Sequence, residues 1–143
     1  MARKVIAACG GSVRGNTIAV LGLTFKPNTD DMREAPSIAL ITALQDAGAK
    51  VRAYDPEGMK QARGALENVE YAEHAYACAD GADALVIATE WDEFRALDLA
   101  RIKSLLKRPI LVDLRNIYRP QDMAERGFTY VGIGRAGMPE RAT

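Results

Sequence analysis

Cysteine is scarce in this chain, with Cys9 and Cys78 the only two among 143 residues. Two thiols this far apart make no disulfide framework, and neither a C-x-x-C pair nor a zinc spacing accompanies them. The expectation is a reduced, cytoplasmic protein with incidental thiols. Cys78, among alanines, reads as a small core residue. Histidine is scarcer still. His74 is the single one, and with no serine or cysteine nucleophile beside it, it reads as an exposed structural residue. Neither sign of charge is in excess, since 19 Lys and Arg balance 19 Asp and Glu. A net charge of zero excludes a global field that gathers nucleic acid or an anionic membrane surface, so any basic site must be local. Long apolar runs are missing too, and nothing approaches the ~18 residues of a membrane span. Val5-Ile6-Ala7-Ala8-Cys9-Gly10, after Arg3 and Lys4, mimics a lipoprotein cleavage site. Its apolar stretch is shorter than the ~7–15 residues a signal peptide requires. There is no internal repeat, linker or low-complexity tract.

What is present is enough apolar residue, 48% of the chain, to build one core of ordinary domain size. Residues 1–11 read as the tail of a helix stopped by Gly10-Gly11, which suggests a piece of a longer protein. Strand and helix patterns then alternate. Thr17–Leu21 is a continuous apolar run suited to a strand covered on both faces. Pro36 is well placed to open a helix whose apolar face is Leu40, Ile41, Leu44 and Ala47, with Gly48 as its stop. Strands are expected at Val51–Asp55, Val69–Tyr71, Ala84–Ala88, Ile110–Asp113 and Thr129–Val131. Helices are expected at Gly58–Leu66, His74–Ala79, after a cap at Asp98, and at Pro120–Arg126. Repeated β-α-β units with buried strands predict an α/β fold: a doubly wound, mainly parallel sheet of about six strands with helices on both faces, Rossmann-like in outline. The expected division is an inter-domain helix end and linker at 1–14, the α/β domain at 15–135, and a patternless tail at 136–143, expected to be disordered.

The loop from Gly22 to Arg33 carries the chemistry. Ligands of open α/β sheets bind beyond the carboxyl ends of the strands, and this loop leaves such an end. Lys26 brings a compact positive charge and Arg33 a planar fork suited to phosphate or carboxylate. The helix N-terminus after the loop adds partial positive charge. Asp30 and Asp31 partly cancel these, so a solvated loop and an anion-binding loop both remain open on charge alone. The usual dinucleotide and triphosphate glycine fingerprints are read as absent. Tyr54-Asp55-Pro56 sits where dinucleotide folds place an acid against a ribose, but turn formation is the plainer reading. Trp91 can stack on a base or pack under the loop as core, and the second is favoured. Glu90 has no catalytic partner in view and reads as a surface or structural group.

The run Gly22-Leu23-Thr24-Phe25-Lys26-Pro27-Asn28-Thr29-Asp30-Asp31-Met32-Arg33-Glu34-Ala35-Pro36-Ser37 resembles one family closely: the C-terminal nucleotide-sugar domain of UDP-glucose 6-dehydrogenases. Tyr54-Asp55-Pro56, Ala88-Thr89-Glu90-Trp91 with Phe94, Asp113-Leu114-Arg115-Asn116 and Gly132-Ile133-Gly134-Arg135 match in order, so the resemblance covers about residues 5–135. It implies that Phe25, Lys26 and either Arg115 or Asn116, or both, contact the nucleotide-sugar, and that Arg33 reaches NAD bound mainly by an N-terminal domain. The family's nucleophilic cysteine lies in a Gly-Gly-Ser-Cys-Phe-Pro-Lys-Asp element. Cys9 precedes its glycines and lacks the Phe-Pro-Lys-Asp segment, so no catalytic residue is assigned in this chain.

The activity implied is oxidation of UDP-glucose to UDP-glucuronate with two NAD, a step in polysaccharide biosynthesis. The missing N-terminal catalytic portion would be the partner, and the full-length enzyme a homo-oligomer. Alone the piece is expected to be inert. Alternatives are a stand-alone nucleotide-binding, regulatory or assembly module, and the related domain of a GDP-mannose or UDP-N-acetylmannosamine dehydrogenase. No nucleic-acid or membrane partner is expected.

Overall fold

The computed structural model describes residues 2–24 and 36–133. Six strands form one sheet: β1 (Thr17–Leu21), β2 (Lys50–Tyr54), β3 (Val69–Tyr71), β4 (Ala84–Ile87), β5 (Ile110–Asp113) and β6 (Thr129–Val131). Their order is β3-β2-β1-β4-β5-β6, and every neighbouring pair is parallel. The helices are α1 (Ala2–Ala8), α2 (Pro36–Asp46), α3 (Met59–Ala65), α4 (Ala75–Ala79), α5 (Asp92–Arg95), α6 (Leu99–Leu105) and α7 (Pro120–Glu125). This is the doubly wound α/β fold that the alternating pattern predicts.

The period-two geometry of a strand sends successive side chains to opposite faces, and two apolar clusters result. Ile18, Val20, Val51, Ala53, Ala84, Val86, Ile110 and Val112 face α2 and α3 through Leu40, Ile41, Leu44, Ala62 and Leu66. Ala19, Leu21, Leu85, Ile87, Leu111 and Tyr130 face the other helical layer through Cys78, Phe94, Ile102 and Met123. Both faces of β1, β4 and β5 are covered, which is why these strands read as unbroken apolar runs.

α1 completes the first layer. It lies beside α2 and over β5 and β6, and its Val5 and the following Cys9 and Val13 join the same cluster as Ile110 and Val112. The Arg108 guanidinium donates to the Cys9 carbonyl at 3.2 Å, which ties down the helix exit. Residues read as an inter-domain helix and linker thus contribute to this core. α5 is an element the sequence pattern misses. One turn of four residues has no measurable period, and only Phe94, fully buried, anchors it. Among the described residues no helix is long and apolar enough to cross a membrane, and no cluster of His, Cys, Asp and Glu could hold a metal ion.

Candidate functional site

In this strand order the chain reverses direction across the sheet between β1 and β4, so the crevice outside their carboxyl ends is the expected ligand position. The loops after β1, β2, β4, β5 and β6 meet on that edge. At the β1–β2–β4 end the loops are fastened together by one carboxylate. Asp55 is 1% exposed. Its Oδ2 accepts from the Leu23 N–H at 2.7 Å, the Thr24 N–H at 3.2 Å and the Trp91 Nε1–H at 3.2 Å. Its Oδ1 accepts from the N–H groups of Glu57 and Gly58 at 2.9 and 2.7 Å. A buried carboxylate is tolerated when hydrogen bonds replace its hydration, and here donors from three loops do so. The turn reading of Asp55 is correct, but it covers only two of these bonds. The acid that meets a ribose in dinucleotide folds is here turned inward. Trp91 is buried as core, with its indole N–H committed to Asp55.

Close packing seals the same corner. Gly22 has φ +98°, and a Cβ added there would lie 2.5 Å from the Thr89 Cβ. Only glycine meets both conditions. The Thr89 hydroxyl donates to the Thr24 carbonyl at 2.9 Å, and the Ser37 hydroxyl donates to that of Leu23. The described part of the β1 loop thus lies directly on the β4 loop. The described residues do not make a dinucleotide cradle: the ribose acid is consumed, and the glycine that would admit a pyrophosphate is packed on Thr89.

Farther along the edge the chemistry changes. Asp113, fully buried at the end of β5, accepts from the Tyr118 N–H at 3.0 Å, the Tyr130 hydroxyl at 2.7 Å and the Arg115 N–H at 3.1 Å. This sets the turn that presents Arg115. The Arg115 guanidinium donates through Nε and Nη2 to both oxygens of Glu90 at 2.8–3.0 Å. The two side chains are 33% and 27% exposed, so the pair sits at the rim within reach of a ligand. Asn116 adopts φ +55°. Its amide donates to the Ile133 carbonyl at 2.7 Å and accepts from the Ile133 N–H at 2.8 Å, joining the β5 loop to the exit of β6.

Of the residues singled out from the sequence, Arg115 and Asn116 are adjacent on this rim, with Glu90 against Arg115. Phe25, Lys26 and Arg33 lie outside the described residues, as do Gly134, Arg135 and the tail at 136–143. The chain does hold one G-x-G-x-x-G, at Gly132, Gly134 and Gly137, which corrects the reading that this fingerprint is absent. It follows the last strand at the sheet's edge, and its second and third glycines are outside the described residues. The β1 position, where a dinucleotide fold carries it, has none. Burial pushes the Cys78 thiol up to about 12, against opposing effects of Arg52 and the Val20 carbonyl, and burial also raises that of Cys9. Neither is a thiolate at neutral pH. His74 is exposed and caps α4, its Nδ1 accepting from the Ala77 N–H at 3.1 Å.

Sequence reasoning missed the Asp55 and Asp113 hubs and the Glu90–Arg115 pair. The signal for each was only an acid at or just past a strand end; the cross-loop partners of Asp55 and Glu90 lie 25 or more residues away, and the farthest partner of Asp113, Tyr130, lies 17 away.

Residues 19–120 match the UDP-glucose/GDP-mannose dehydrogenase family, UDP binding domain. The UDP-glucose 6-dehydrogenase of Rhizobium meliloti is 64% identical over 135 residues, which are 94% of this chain and 31% of that protein. TuaD, a UDP-glucose 6-dehydrogenase of Bacillus subtilis, is 46% identical over 126 residues, covering 87% of this chain and 27% of that one. Among solved structures, a UDP-glucose dehydrogenase from Pyrobaculum islandicum superposes with a TM-score of 0.75 at 33% identity, over 92% of this chain and 28% of that one. The chain thus spans about a third of the length of the curated relatives it matches. By its sheet order, its ligand-facing edge and these likenesses, the chain belongs to the UDP-glucose/GDP-mannose dehydrogenase family and carries that family's UDP-binding domain.

Proposed function

We propose that the chain is the nucleotide-sugar half of an NAD-dependent UDP-glucose 6-dehydrogenase, holding the UDP of UDP-glucose and UDP-glucuronate. The observation that carries the reading is Arg115, one-third exposed on the carboxyl edge of the sheet, in a chain 64% identical to a UDP-glucose 6-dehydrogenase. Arg115 and Asn116 take the substrate side of the rim; the family resemblance assigns Phe25 and Lys26 to the same substrate and Arg33 to the cofactor. Gripping the UDP is useful catalysis at a distance. Binding energy from a part of the substrate that does not react fixes the sugar for the step at its C6 alcohol. NAD and the nucleophilic cysteine belong to a portion that this chain does not supply, because the described residues form no dinucleotide cradle and both described thiols are buried. Alone, the chain is inert toward UDP-glucose. In the assembled enzyme, a cytoplasmic homo-oligomer, it serves polysaccharide biosynthesis.

Thermal unfolding with UDP, UDP-glucose, GDP and NAD tests this. A ligand at 100 times its Kd adds ~2.7 kcal/mol. UDP and UDP-glucose are expected to raise Tm, and GDP and NAD to leave it unchanged. Stabilisation by GDP in place of UDP would move the assignment to a GDP-sugar relative. NADH formation from UDP-glucose by this chain alone would contradict its inertness.

A further inference from the structure

Arg115 is expected on charge grounds to grip a diphosphate, but its surroundings argue for different chemistry. The guanidinium already faces a carboxylate side-on, with Nε and Nη2 donating to both Glu90 oxygens at 2.8–3.0 Å. Both partners sit on fixed backbone. Glu90 lies between Thr89, whose hydroxyl is bonded to the Thr24 carbonyl, and Trp91, whose indole is bonded to Asp55. Arg115 lies between Asp113, which accepts its N–H, and Asn116, which is joined to Ile133 at both ends of its amide. A pair held this way differs from a mobile surface ion pair, whose geometry solvent and side-chain entropy dissolve.

A guanidinium has five N–H donors in a rigid fork. The Nε and Nη2 edge is engaged by Glu90, and among the described residues no partner for Nη1 is seen. The donor group left for a ligand is therefore oriented but electrically neutralised. A phosphate brought against it would approach the Glu90 carboxylate as well, and like charges repel at that range. An uncharged oxygen meets no such repulsion and still receives a directed hydrogen bond.

We propose that Glu90 is a positioning residue, which holds Arg115 as a neutralised donor for uncharged oxygens of the nucleotide, uracil carbonyl or ribose hydroxyl, and not for its diphosphate. This rests on the reading that the chain binds UDP at this edge.

Titration calorimetry on the whole chain with UDP and with inorganic pyrophosphate, at several salt concentrations, tests it. Arg115→Gln is expected to weaken UDP binding about three- to tenfold, the loss of one hydrogen bond. In the charge-neutral double variant Glu90→Gln/Arg115→Gln, pyrophosphate affinity and the salt dependence of UDP binding stay at the parent's values. Glu90→Gln is expected to weaken UDP and tighten pyrophosphate, because it frees the guanidinium charge while releasing its orientation. Glu90→Asp, which keeps the charge, recovers part of the UDP affinity. Opposite signs on two ligands are not the result of a merely destabilised loop. Loss of pyrophosphate affinity and a flatter salt dependence in the double variant Glu90→Gln/Arg115→Gln would overturn the inference, as would tighter UDP binding in Glu90→Gln. UDP binding that neither variant changes would overturn it while leaving the UDP reading intact. A parent chain that binds no UDP would overturn both.

Discussion

Asp55 and Glu90 are carboxylates on the same edge of one sheet, each within three residues of a strand end, and their surroundings separate their roles. Asp55 is sealed, with both oxygens taken by donors from three loops. Glu90 is about a quarter exposed, with a single partner that itself faces solvent. The first carboxylate holds a shape, and the second holds a guanidinium at a rim that a ligand can reach. The difference comes from the loops around them. Gly22 to Thr24 lie down on Thr89, so the acid beneath them is buried, whereas the β5 loop is turned outward by Asp113 and the positive φ of Asn116.

Breaking the sealed side has the largest expected effect. Asp55→Ala strands buried N–H groups of Leu23, Gly58 and the Trp91 indole, and should lower stability by about 3–5 kcal/mol in urea denaturation. A loss below ~1 kcal/mol would mean that the three loops hold together without it. Gly22→Ala comes next, at about 2–4 kcal/mol, because it combines a positive φ with a clash on Thr89. Adding Thr89→Gly removes the side-chain part of the clash and leaves the approach to the Thr89 backbone nitrogen at 2.6 Å, so a double-mutant cycle should return a coupling of ~1 kcal/mol or more. Simple additivity would place the strain elsewhere.

A smaller effect is expected with alkali. Burial raises the Tyr54 hydroxyl to about 12, helped by its hydrogen bond to Glu93. Burial also raises the Cys78 thiol to about 12, and burial with Asp113 raises Tyr118 further. The ordinary values are 9.0 for the thiol and 10.0 for the phenols. The unfolded chain therefore loses these protons first. Stability is fully present below pH 9 and falls as pH rises toward 12. Circular dichroism against pH should show unfolding coincide with tyrosinate absorbance. Tyrosinate formed near pH 10 by Tyr54 or Tyr118 with the fold intact would contradict the burial.

The smallest effect on stability sharpens the comparison most. Glu90→Ala and Arg115→Ala should each change stability by under ~1 kcal/mol while weakening UDP binding. A large destabilisation would put this pair in the same class as Asp55.

Most of the fold was legible because both of its periods are strong. β1, β3, β5 and β6 begin and end where the sequence reading places them, α4 lies within the helix read over His74–Ala79, and α6 and α7 follow the cap at Asp98 and the proline at Pro120. α5 was not legible, since a single turn held by Phe94 has no period. The site was legible only as a direction. A loop rich in charge after β1 points to the sheet's carboxyl edge, and the Asp-x-Arg-Asn run places Arg115 there. That Glu90 would neutralise Arg115, or that Asn116 would grip Ile133, depends on side chains 17 to 25 positions apart meeting across loops, and no local pattern encodes that meeting.

The central claim is that this edge of the sheet receives the UDP of a nucleotide sugar. An amide-resolved NMR titration of the whole chain with UDP tests it most directly. The account predicts shifts concentrated at Glu90, Arg115, Asn116 and Ile133 and in the β1 loop, with the amino ends of the strands unmoved. Shifts confined to the opposite edge, or none at saturating UDP, would contradict it.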